Sequence, residues 1–368
     1  MKEWADIDCY NPFNSMKLLA WVNYWRPILD GRVPPPVTVS VDPTNRCNQR
    51  CKWCNAGVVV GTAPEAGQEP RGSRSMSRDY LLGLAEFLGD WGVRAVCVGG
   101  GGESLVNPHT GAFIERCVER GVQVGVVTNG ALIDHHMAAL SKCRWVGVSV
   151  DAATRETYAQ LHGVEPEVFD HVIDNIRTLQ ARNAGRSDFE MSFKFLVHPD
   201  NVHEVHAAAK LAKSLGVARF HSRPVSDPWF NRQHHPPFTP ETIERLAEEI
   251  RLASELHDRG FKVYAITHKV TEDFDVRHRF ARCHAIFLTC IFEPGGVVSL
   301  CCDRRGDPSL ELCRVAEPKE LLDFWGKAHH KAVAKRIHLE DCPRCTFAPH
   351  NEVFEHVVER DSMMVEFI

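Results

Sequence analysis

The sequence lacks three features that would tie it to a membrane, to secretion or to nucleic acid. No apolar run approaches the roughly 20 residues that a membrane-spanning helix needs. The N-terminal stretch MKEWADIDCYNPFNS has neither the charged n-region nor the apolar h-region of a secretory signal peptide. A formal net charge of -5 leaves no basic surplus for non-specific binding to nucleic acid. We therefore expect a cytoplasmic protein whose partners are neither membranes nor nucleic acids.

Cysteine, by contrast, is abundant, with 14 residues in a chain of 368. A cytoplasmic chain keeps its thiols reduced, so we do not expect a disulfide framework. Three of the cysteines lie between residues 47 and 54, and seven lie between residues 283 and 345. This clustering indicates metal chemistry at two places in the sequence.

Short β-branched runs alternate with longer amphipathic segments between residues 37 and 223. The predicted strands are VTVSVDP from Val37, RAVCVGG from Arg94, VQVGVVTNG from Val122, RWVGVSVDA from Arg144, FEMSFKFLVHP from Phe189 and ARFHSRPV from Ala218. The segments between them repeat apolar residues at helical spacing, and several end at glycine. This rhythm implies an α/β fold with a parallel sheet that binds ligands at the carboxyl ends of its strands. Six units are too few for a closed eight-stranded barrel, so we predict a partial (β/α)6 barrel.

The rest of the chain divides around this predicted barrel. Residues 1–36 read as one helix and a linker, and residues 37–235 form the barrel. Residues 236–280 contain a connecting helix and a probable strand, FKVYAIT. Residues 281–368 form a small cysteine-rich C-terminal domain.

Cys47, Cys51 and Cys54 follow the first predicted strand in the pattern C-x3-C-x2-C. They should therefore lie on a loop at the mouth of the barrel. Structural zinc sites and ordinary iron-sulfur clusters take four protein ligands, and no matching cysteine pair follows within the next 30 residues. Three ligands on a cubane would leave one iron free to bind another molecule.

Polar and glycine-rich motifs end the next three predicted strands. They are GGGGE, which contains Gly101, Gly102 and Glu103, then TNG with Asn129, and SVD with Ser149 and Asp151. A glycine-rich strand end by itself usually serves a tight turn. Glycines also allow backbone carbonyls to approach a ligand closely, and a carboxylate suits a cationic amine.

Together these motifs resemble the radical S-adenosylmethionine (radical SAM) enzymes, whose signature is C-x3-C-x-aromatic-C. Trp53 fills the aromatic place in this sequence. The resemblance implies a 4Fe-4S cluster on Cys47, Cys51 and Cys54, with SAM as ligand of the fourth iron. It also implies that SAM is bound by Trp53, Gly101, Gly102, Glu103, Asn129, Ser149 and Asp151.

The sequence departs from this family at one position. Many relatives with auxiliary clusters have an arginine near the end of the segment ETYAQLHG, where this chain has His162. Another cation would then hold the SAM carboxylate, and Lys194 and Arg223 on the fifth and sixth strands are the candidates. An ordinary salt bridge is the alternative interpretation of both.

The C-terminal cysteines resemble the shortened "twitch" form of the SPASM extension of this family, which holds one auxiliary 4Fe-4S cluster. The resemblance implies Cys283, Cys301, Cys342 and Cys345 as its ligands. Two further cysteines compete with these by spacing, Cys302 with Cys301 and Cys290 with Cys283. A structural zinc site with four cysteines is the alternative.

The resemblance further implies reductive cleavage of SAM to a radical that takes hydrogen from a substrate, with flavodoxin or ferredoxin as the external electron donor. The segment before the first strand looks too short for the leader-binding domain that many peptide-modifying relatives carry. We therefore expect a small hydroxylated substrate, such as a carbohydrate, an aminocyclitol or a nucleoside sugar. Dehydrogenation with the auxiliary cluster as electron acceptor is the leading outcome.

Four other functions stay open. An epimerase would need a thiol that returns a hydrogen atom, for which Cys290, Cys302 and Cys313 are candidates. Decarboxylation and modification of a ribosomal peptide are also compatible with the motifs. The fourth possible function is that of a non-catalytic protein that binds an iron-sulfur cluster or zinc.

Overall fold

A computed structural model describes residues 15–61, 74–225, 227–231, 238–265, 278–342 and 345–359. Ten strands form one sheet in the order β10-β9-β8-β1-β2-β3-β4-β5-β6-β7. The strands are β1 (Thr38–Val41), β2 (Ala95–Val98), β3 (Gln123–Thr128), β4 (Trp145–Ser149), β5 (Glu190–Val197), β6 (Arg219–Pro224), β7 (Lys262–Ala265), β8 (Ile291–Glu293), β9 (Val297–Ser299) and β10 (Glu311–Arg314).

Helices connect the strands and cover one face of the sheet. The α-helices are α1 (Val22–Leu29), α2 (Gly57–Val60), α3 (Arg78–Trp91), α4 (Thr110–Glu119), α5 (Met137–Leu140), α6 (Arg155–His162), α7 (Glu167–Arg182), α8 (Val205–Ser214), α9 (Pro240–Ser254), α10 (Ala328–Lys335) and α11 (Ala348–Val353). A 3-10 helix, Ser15–Trp21, precedes α1, and a π-helix, Phe354–Glu359, follows α11. In the part of the chain that the structure describes, no helix is long and apolar enough to cross a membrane.

The parallel order of β1 to β7 confirms the predicted α/β fold and extends it by one strand. All six predicted strands form, and each pairs in parallel with the next along the chain. Lys262–Ala265 of the segment FKVYAIT, predicted as a strand within the connection, forms β7 and pairs in parallel with β6. The parallel run from β1 to β7 therefore has seven strands, where we predicted six.

The cysteine-rich C-terminal region continues the same sheet on the other side of β1. Strand β8 pairs with β1 in parallel, with Ser40 opposite Ile291 and Val41 opposite Phe292. Strands β9 and β10 then follow in antiparallel order. Consequently β1 is an inner strand of the sheet, with the barrel on one side and the C-terminal region on the other.

The alternation of side chains along the strands separates an apolar face from a polar one. In β5, Phe193 and Phe195 are buried in the core, whereas Lys194 lies on the opposite, inner face. Two glycines make room on that inner face. A Cβ atom at Gly125 would clash with the Trp145 indole, and one at Gly147 would lie 2.5 Å from Cε of Lys194.

Helix α3 shows how local sequence sets the element boundaries. It begins after Ser77, whose hydroxyl accepts a hydrogen bond from the Tyr80 backbone N–H (3.2 Å). It ends at Gly92, whose φ of +91° lies in the left-handed region that glycine adopts without strain. Leu81, Leu84 and other apolar residues of this helix pack against the sheet.

Two other glycines lie inside α3, and substitution by alanine should change the stability of the protein differently at each. A Cβ atom at Gly83 would meet no atom within 4 Å, whereas one at Gly89 would lie 3.0 Å from Cβ of Arg120. We expect Gly83→Ala to raise the free energy of unfolding by about 1 kcal/mol, because alanine lowers the entropy of the unfolded chain and favours helix. Urea unfolding followed by circular dichroism measures this change.

Gly89→Ala is the matched control for that substitution, because it gives the same gain in helix propensity at a crowded position. Its stabilisation should be smaller than that of Gly83→Ala or negative, since Arg120 must move. Equal stabilisation by the two variants would contradict the packing of α3 described above.

Candidate functional site

The first thiol set, Cys47, Cys51 and Cys54, lies on the loop between β1 and α2. Backbone hydrogen bonds fasten this loop to the end of α6: Arg50 donates to the carbonyl of His162 (2.8 Å), and Lys52 donates to that of Leu161 (3.0 Å). A turn in which the Cys54 N–H donates to the Cys51 carbonyl (3.3 Å) closes the end of the loop. The three cysteines are therefore held at the carboxyl end of β1, as the sequence predicts.

Burial makes the ionised form of these thiols costly. It raises the pKa of Cys47 to about 11 and also raises those of Cys51 and Cys54. The neighbouring thiols add to the rise at Cys47 and Cys51, so the set is close enough to interact electrostatically. Thiolates in such a place need a cationic partner, which a metal centre provides.

His162 contacts this thiol set directly, and the sequence analysis missed this role. Its Nδ1 lies 3.2 Å from Sγ of Cys51 and 3.0 Å from Oε1 of Gln49. Its Nε2 lies 3.0 Å from the Val150 carbonyl oxygen. Burial lowers the pKa of His162 to about 4, so the ring is neutral at neutral pH. The only sequence signal was its departure from the arginine of relatives.

Glu103, which follows the glycine run, is engaged by the protein itself. Its carboxylate accepts hydrogen bonds from the Thr128 hydroxyl (2.8 Å), the Leu105 N–H (3.0 Å) and the Asn129 N–H (2.8 Å). Burial raises its pKa, and these donors oppose the rise. Glu103 therefore ties the end of β2 to the end of β3.

Gly101 and Gly102 allow close packing between the ends of β1 and β2. A Cβ atom at Gly101 would clash with the carboxylate of Asp42. At Gly102 it would lie 2.6 Å and 2.7 Å from the carbonyl oxygens of Arg46 and Thr44. Both glycines are required by this packing, whether or not they also line a ligand site.

Asn129 and Trp53 lie against the thiol loop. The Asn129 side-chain amide donates to Oδ1 of Asn48 (2.8 Å), which lies between the first two cysteines. Trp53 is 6% exposed and packs between two imidazoles, with ring centroids 5.8 Å from His162 and 5.7 Å from His198. These contacts fix the loop from two sides.

Asp151 is the one described non-glycine residue with a positive φ, at 61°. Its Oδ1 accepts a hydrogen bond from the Leu196 N–H (2.6 Å). Its Oδ2 is buried, has no hydrogen-bond partner among the described residues and lies 3.5 Å from Nε2 of His162. Burial raises the pKa of Asp151 to about 7. Ser149, two residues earlier, lies opposite Lys194 in the sheet.

Lys194 and Arg223 project from neighbouring strands near Asp151. The Lys194 ammonium lies over the Trp145 ring, 5.7 Å from its centroid. Burial and the charge of Arg223 lower the pKa of Lys194 to about 8. Among the salt bridges between described residues, neither cation has a partner. The ordinary salt bridges considered as alternatives are therefore not formed with the described carboxylates.

A small pocket lies between β4, β5, β6 and β7. Trp145, Glu190 and Arg219, the first residues of β4, β5 and β6, line it. Glu190 and Arg219 form a salt bridge there (2.6 Å). Lys194, in the middle of β5, also lines this pocket.

The second thiol set lies in the C-terminal region and has five members. They are Cys283, Cys301, Cys302, Cys342 and Cys345. Burial is the main cause that raises the pKa of each, and charges on other members of the set add to the rise at Cys283, Cys301, Cys302 and Cys345. These electrostatic interactions link the four predicted ligands and Cys302 into one set.

Asn351 and Asp303 support this second set and were not found from the sequence. The side-chain oxygen Oδ1 of Asn351 accepts hydrogen bonds from the N–H groups of His284 (2.8 Å) and Ala285 (2.9 Å), and its side-chain Nδ2 lies 4.0 Å from Sγ of Cys345. Asp303 accepts from the N–H of Thr346 (2.6 Å) and from its hydroxyl (2.7 Å). Neither residue belongs to a spacing pattern, so no sequence signal marked them.

Cys290 and Cys313 lie apart from both thiol sets. They belong to the hydrophobic core, where they are 0% and 7% exposed and interact with each other electrostatically. The backbone carbonyl of Cys290 accepts a hydrogen bond from Ser40 of β1 (2.9 Å). Both thiols are thus packed among apolar side chains, whereas Cys283 interacts with other members of the second set.

No group of three or more His, Cys, Asp or Glu side chains within the described ranges is placed so that it could hold a metal ion. The fit of the two thiol sets to a metal centre therefore rests on their chemistry. Thiolates are the usual protein ligands of iron-sulfur clusters and are also common ligands of zinc.

The chain is similar to curated proteins over part of its length. It is 25% identical over 276 residues to the antilisterial bacteriocin subtilosin biosynthesis protein AlbA of Bacillus subtilis (strain 168), a match that covers 73% of this chain and 55% of AlbA. It is 25% identical over 195 residues to the PqqA peptide cyclase of Methylorubrum extorquens (strain PA1), which covers 51% of this chain and 45% of the cyclase. The chain thus spans about half the length of these relatives.

The fold is similar to that of SuiB from Streptococcus suis in its complex with the precursor peptide SuiA. The TM-score is 0.64 at 15% identity, and the match covers 89% of this chain and 73% of SuiB. At this identity the likeness concerns the fold alone. In addition, residues 41–212, from the last residue of β1 to within α8, match the Radical SAM superfamily. This segment, which carries the first thiol set, is therefore the part of the chain that is similar to the Radical SAM superfamily.

Proposed function

We propose that the protein is a radical SAM enzyme that modifies a peptide. The observation that carries the catalytic part is the first thiol set, held at the carboxyl end of β1 inside a segment that matches the superfamily. Cys47, Cys51 and Cys54 would hold a 4Fe-4S cluster, and SAM would complete its coordination. When bound, this pair would supply a 5'-deoxyadenosyl radical that takes a hydrogen atom from the substrate.

The surrounding residues would hold the loop and shield it from water. His162, at the end of α6, is hydrogen-bonded to Gln49 within the loop. Asn129, at the end of β3, is hydrogen-bonded to Asn48 of the same loop. Burial of Trp53 between His162 and His198 removes this side of the loop from solvent. A rigid, dry environment of this kind protects a reactive species from side reactions.

Lys194 and Arg223 would bind the carboxylate of SAM. Neither forms a salt bridge with a described carboxylate, and both interact with Asp151 at the mouth of the barrel. Asp151 itself has an unused acceptor, Oδ2, suited to a hydroxyl or amine of SAM. Gly101, Gly102, Glu103 and Ser149 would contribute backbone and side-chain contacts to the same molecule.

The second thiol set would hold an auxiliary 4Fe-4S cluster through Cys283, Cys301, Cys342 and Cys345, with Cys302 as the competitor of Cys301. Such a cluster would accept an electron from the substrate during a two-electron oxidation, and a flavodoxin or ferredoxin would supply the electron that starts the reaction. The donor set supports this proposal because cysteine thiolates are the usual protein ligands of iron-sulfur clusters.

A peptide replaces the small hydroxylated molecule that we expected from the sequence. AlbA is named for the biosynthesis of subtilosin, PqqA peptide cyclase acts on a peptide by its name, and SuiB binds the precursor peptide SuiA. The length of the segment before β1 was a weak argument for a small substrate, because it concerns a separate leader-binding unit and not the barrel. These relatives support the alternative of ribosomal peptide modification.

Cys51→Ala should abolish SAM cleavage. Protein reconstituted with iron and sulfide, then mixed with SAM and dithionite, should release 5'-deoxyadenosine and methionine, measured by liquid chromatography. The variant should fall to background because it removes one cluster ligand. Cys143→Ala is the matched control, since Cys143 is 1% exposed and lies in the core. Undiminished release by Cys51→Ala would exclude the proposed activity.

The wild-type chain should bind about eight iron atoms with a matching amount of labile sulfide. Cys345→Ala should lower this to about four, because the second set loses one ligand while the first is untouched. Metal analysis of the purified protein measures both. About four irons with one zinc in the wild-type protein would instead identify the second set as a structural zinc site.

The test substrate is a synthetic copy of a peptide that is encoded next to the gene for this protein. It should accelerate release of 5'-deoxyadenosine and lose two hydrogen atoms in the reaction. Mass spectrometry of the peptide detects the loss, and deuterium placed at the reacting carbon should appear in 5'-deoxyadenosine. A panel of sugars and aminocyclitols is the comparison. Deuterium transfer from a sugar and from none of the peptides would overturn the peptide proposal.

A further inference from the structure

One buried arginine, Arg305, lies between the two thiol sets. It follows Cys302 by three residues and is 7% exposed. Its Nε donates to Oδ2 of Asp42 (2.8 Å), its Nη1 donates to the backbone carbonyl of Cys302 (3.0 Å) and its Nη2 donates to that of Gly99 (3.4 Å). One guanidinium therefore contacts the second set and the ends of β1 and β2.

Asp42, the partner of Arg305, belongs to the strand that leads into the first set. It is 1% exposed and directly follows β1, five positions before Cys47. Its own N–H donates to the carbonyl of Phe292 in β8 (2.9 Å). The ion pair thus joins the C-terminal region to the residue at which the first thiol loop begins.

The surrounding backbone is shaped to accept this ion pair. Gly100 has a φ of +135°, and a Cβ atom there would clash with the Arg305 guanidinium. A Cβ atom at Gly306 would lie 2.9 Å from the side chain of Val59 in α2, the short helix after Cys54. The segment that carries Arg305 is therefore packed directly against both ends of the first thiol loop.

The electrostatics agree with this geometry. Burial raises the pKa of Cys54 and of Cys302, and the positive charge of Arg305 opposes the rise at both thiols. The neighbouring Arg304 behaves differently. It forms an ion pair with Asp307, and its Nη1 lies 3.9 Å from Sγ of Cys342, a member of the second set.

We propose that Arg305, held by Asp42, is a positioning residue whose single positive charge acts on both metal centres and raises both of their reduction potentials. This inference rests on the proposed two-cluster function. Reduction adds an electron to a cluster, so a fixed cation nearby stabilises the reduced form. Net charge and hydrogen bonding are the means by which a protein tunes such potentials.

The test is a redox titration of the reconstituted full chain, followed by electron paramagnetic resonance. Addition of SAM identifies the signal of the first cluster, because only that signal should change. Arg305→Gln should lower the midpoint potentials of both clusters, and Arg305→Lys should keep them close to the wild-type values. Asp42→Asn should shift the potential of the first cluster upwards, because it removes a negative charge and leaves the cation.

Arg304→Gln is the matched control, since it removes the adjacent charge and should lower the potential of the second cluster alone. The opposite signs expected for Arg305→Gln and Asp42→Asn separate a charge effect from misfolding, which would move both variants in the same way. A shift at only one cluster in Arg305→Gln, or equal effects of Gln and Lys at position 305, would refute the proposal.

Iron analysis distinguishes failure of this inference from failure of the proposed function. About eight irons in the wild-type chain with unshifted potentials in Arg305→Gln would contradict the role of Arg305 alone. About four irons in the wild-type chain would contradict the two-cluster function and, with it, a charge shared by two clusters.

Discussion

The backbone pairing between β1 and β8 brings the two thiol sets into one structure. Ser40 and Asp42 donate their N–H groups to the carbonyls of Cys290 and Phe292, at 2.9 Å each. These bonds are non-local, because they join segments about 250 residues apart in the sequence. They make the C-terminal strands a continuation of the sheet that carries the first set. Strand β1 therefore pairs with the barrel on one side and with the C-terminal region on the other.

Buried polar contacts, more than apolar packing, give the site its shape. Glu103 joins β2 to β3, Asn129 joins β3 to the thiol loop, and His162 joins that loop to α6. Each contact satisfies groups that would be costly to leave unpaired in the interior. Hydrogen bonds thus connect the carboxyl ends of β2 and β3, the thiol loop and α6.

The sequence was informative wherever the signal is local. The spacing of Cys47, Cys51 and Cys54 and the order of strands and helices follow from short patterns, and the structure agrees with both. The continuation of the sheet through β8 to β10 could not be predicted, since strand partners distant in sequence leave no local pattern. For the same reason, spacing could not separate Cys290, which is in the core, from Cys283, which is in the second set.

Single supporting residues are the other part that sequence reasoning could not reach. Neither Arg305 nor Asn351 belongs to a sequence motif. Only the assembled fold shows that each contacts a cysteine of the second set. Trp145 is similar, because its place inside the barrel depends on the absence of a side chain at Gly125 on the neighbouring strand.

The position of Asn351 in the chain has a consequence for how the protein matures. It organises the turn that carries Cys283 through bonds to His284 and Ala285, and Glu355 adds bonds to the N–H groups of Ala281 and Arg282. A ribosome synthesises these two residues about 70 positions after that turn. The turn that carries Cys283 can therefore gain these hydrogen bonds only after α11 has been synthesised, later than the segment that carries the first thiol loop.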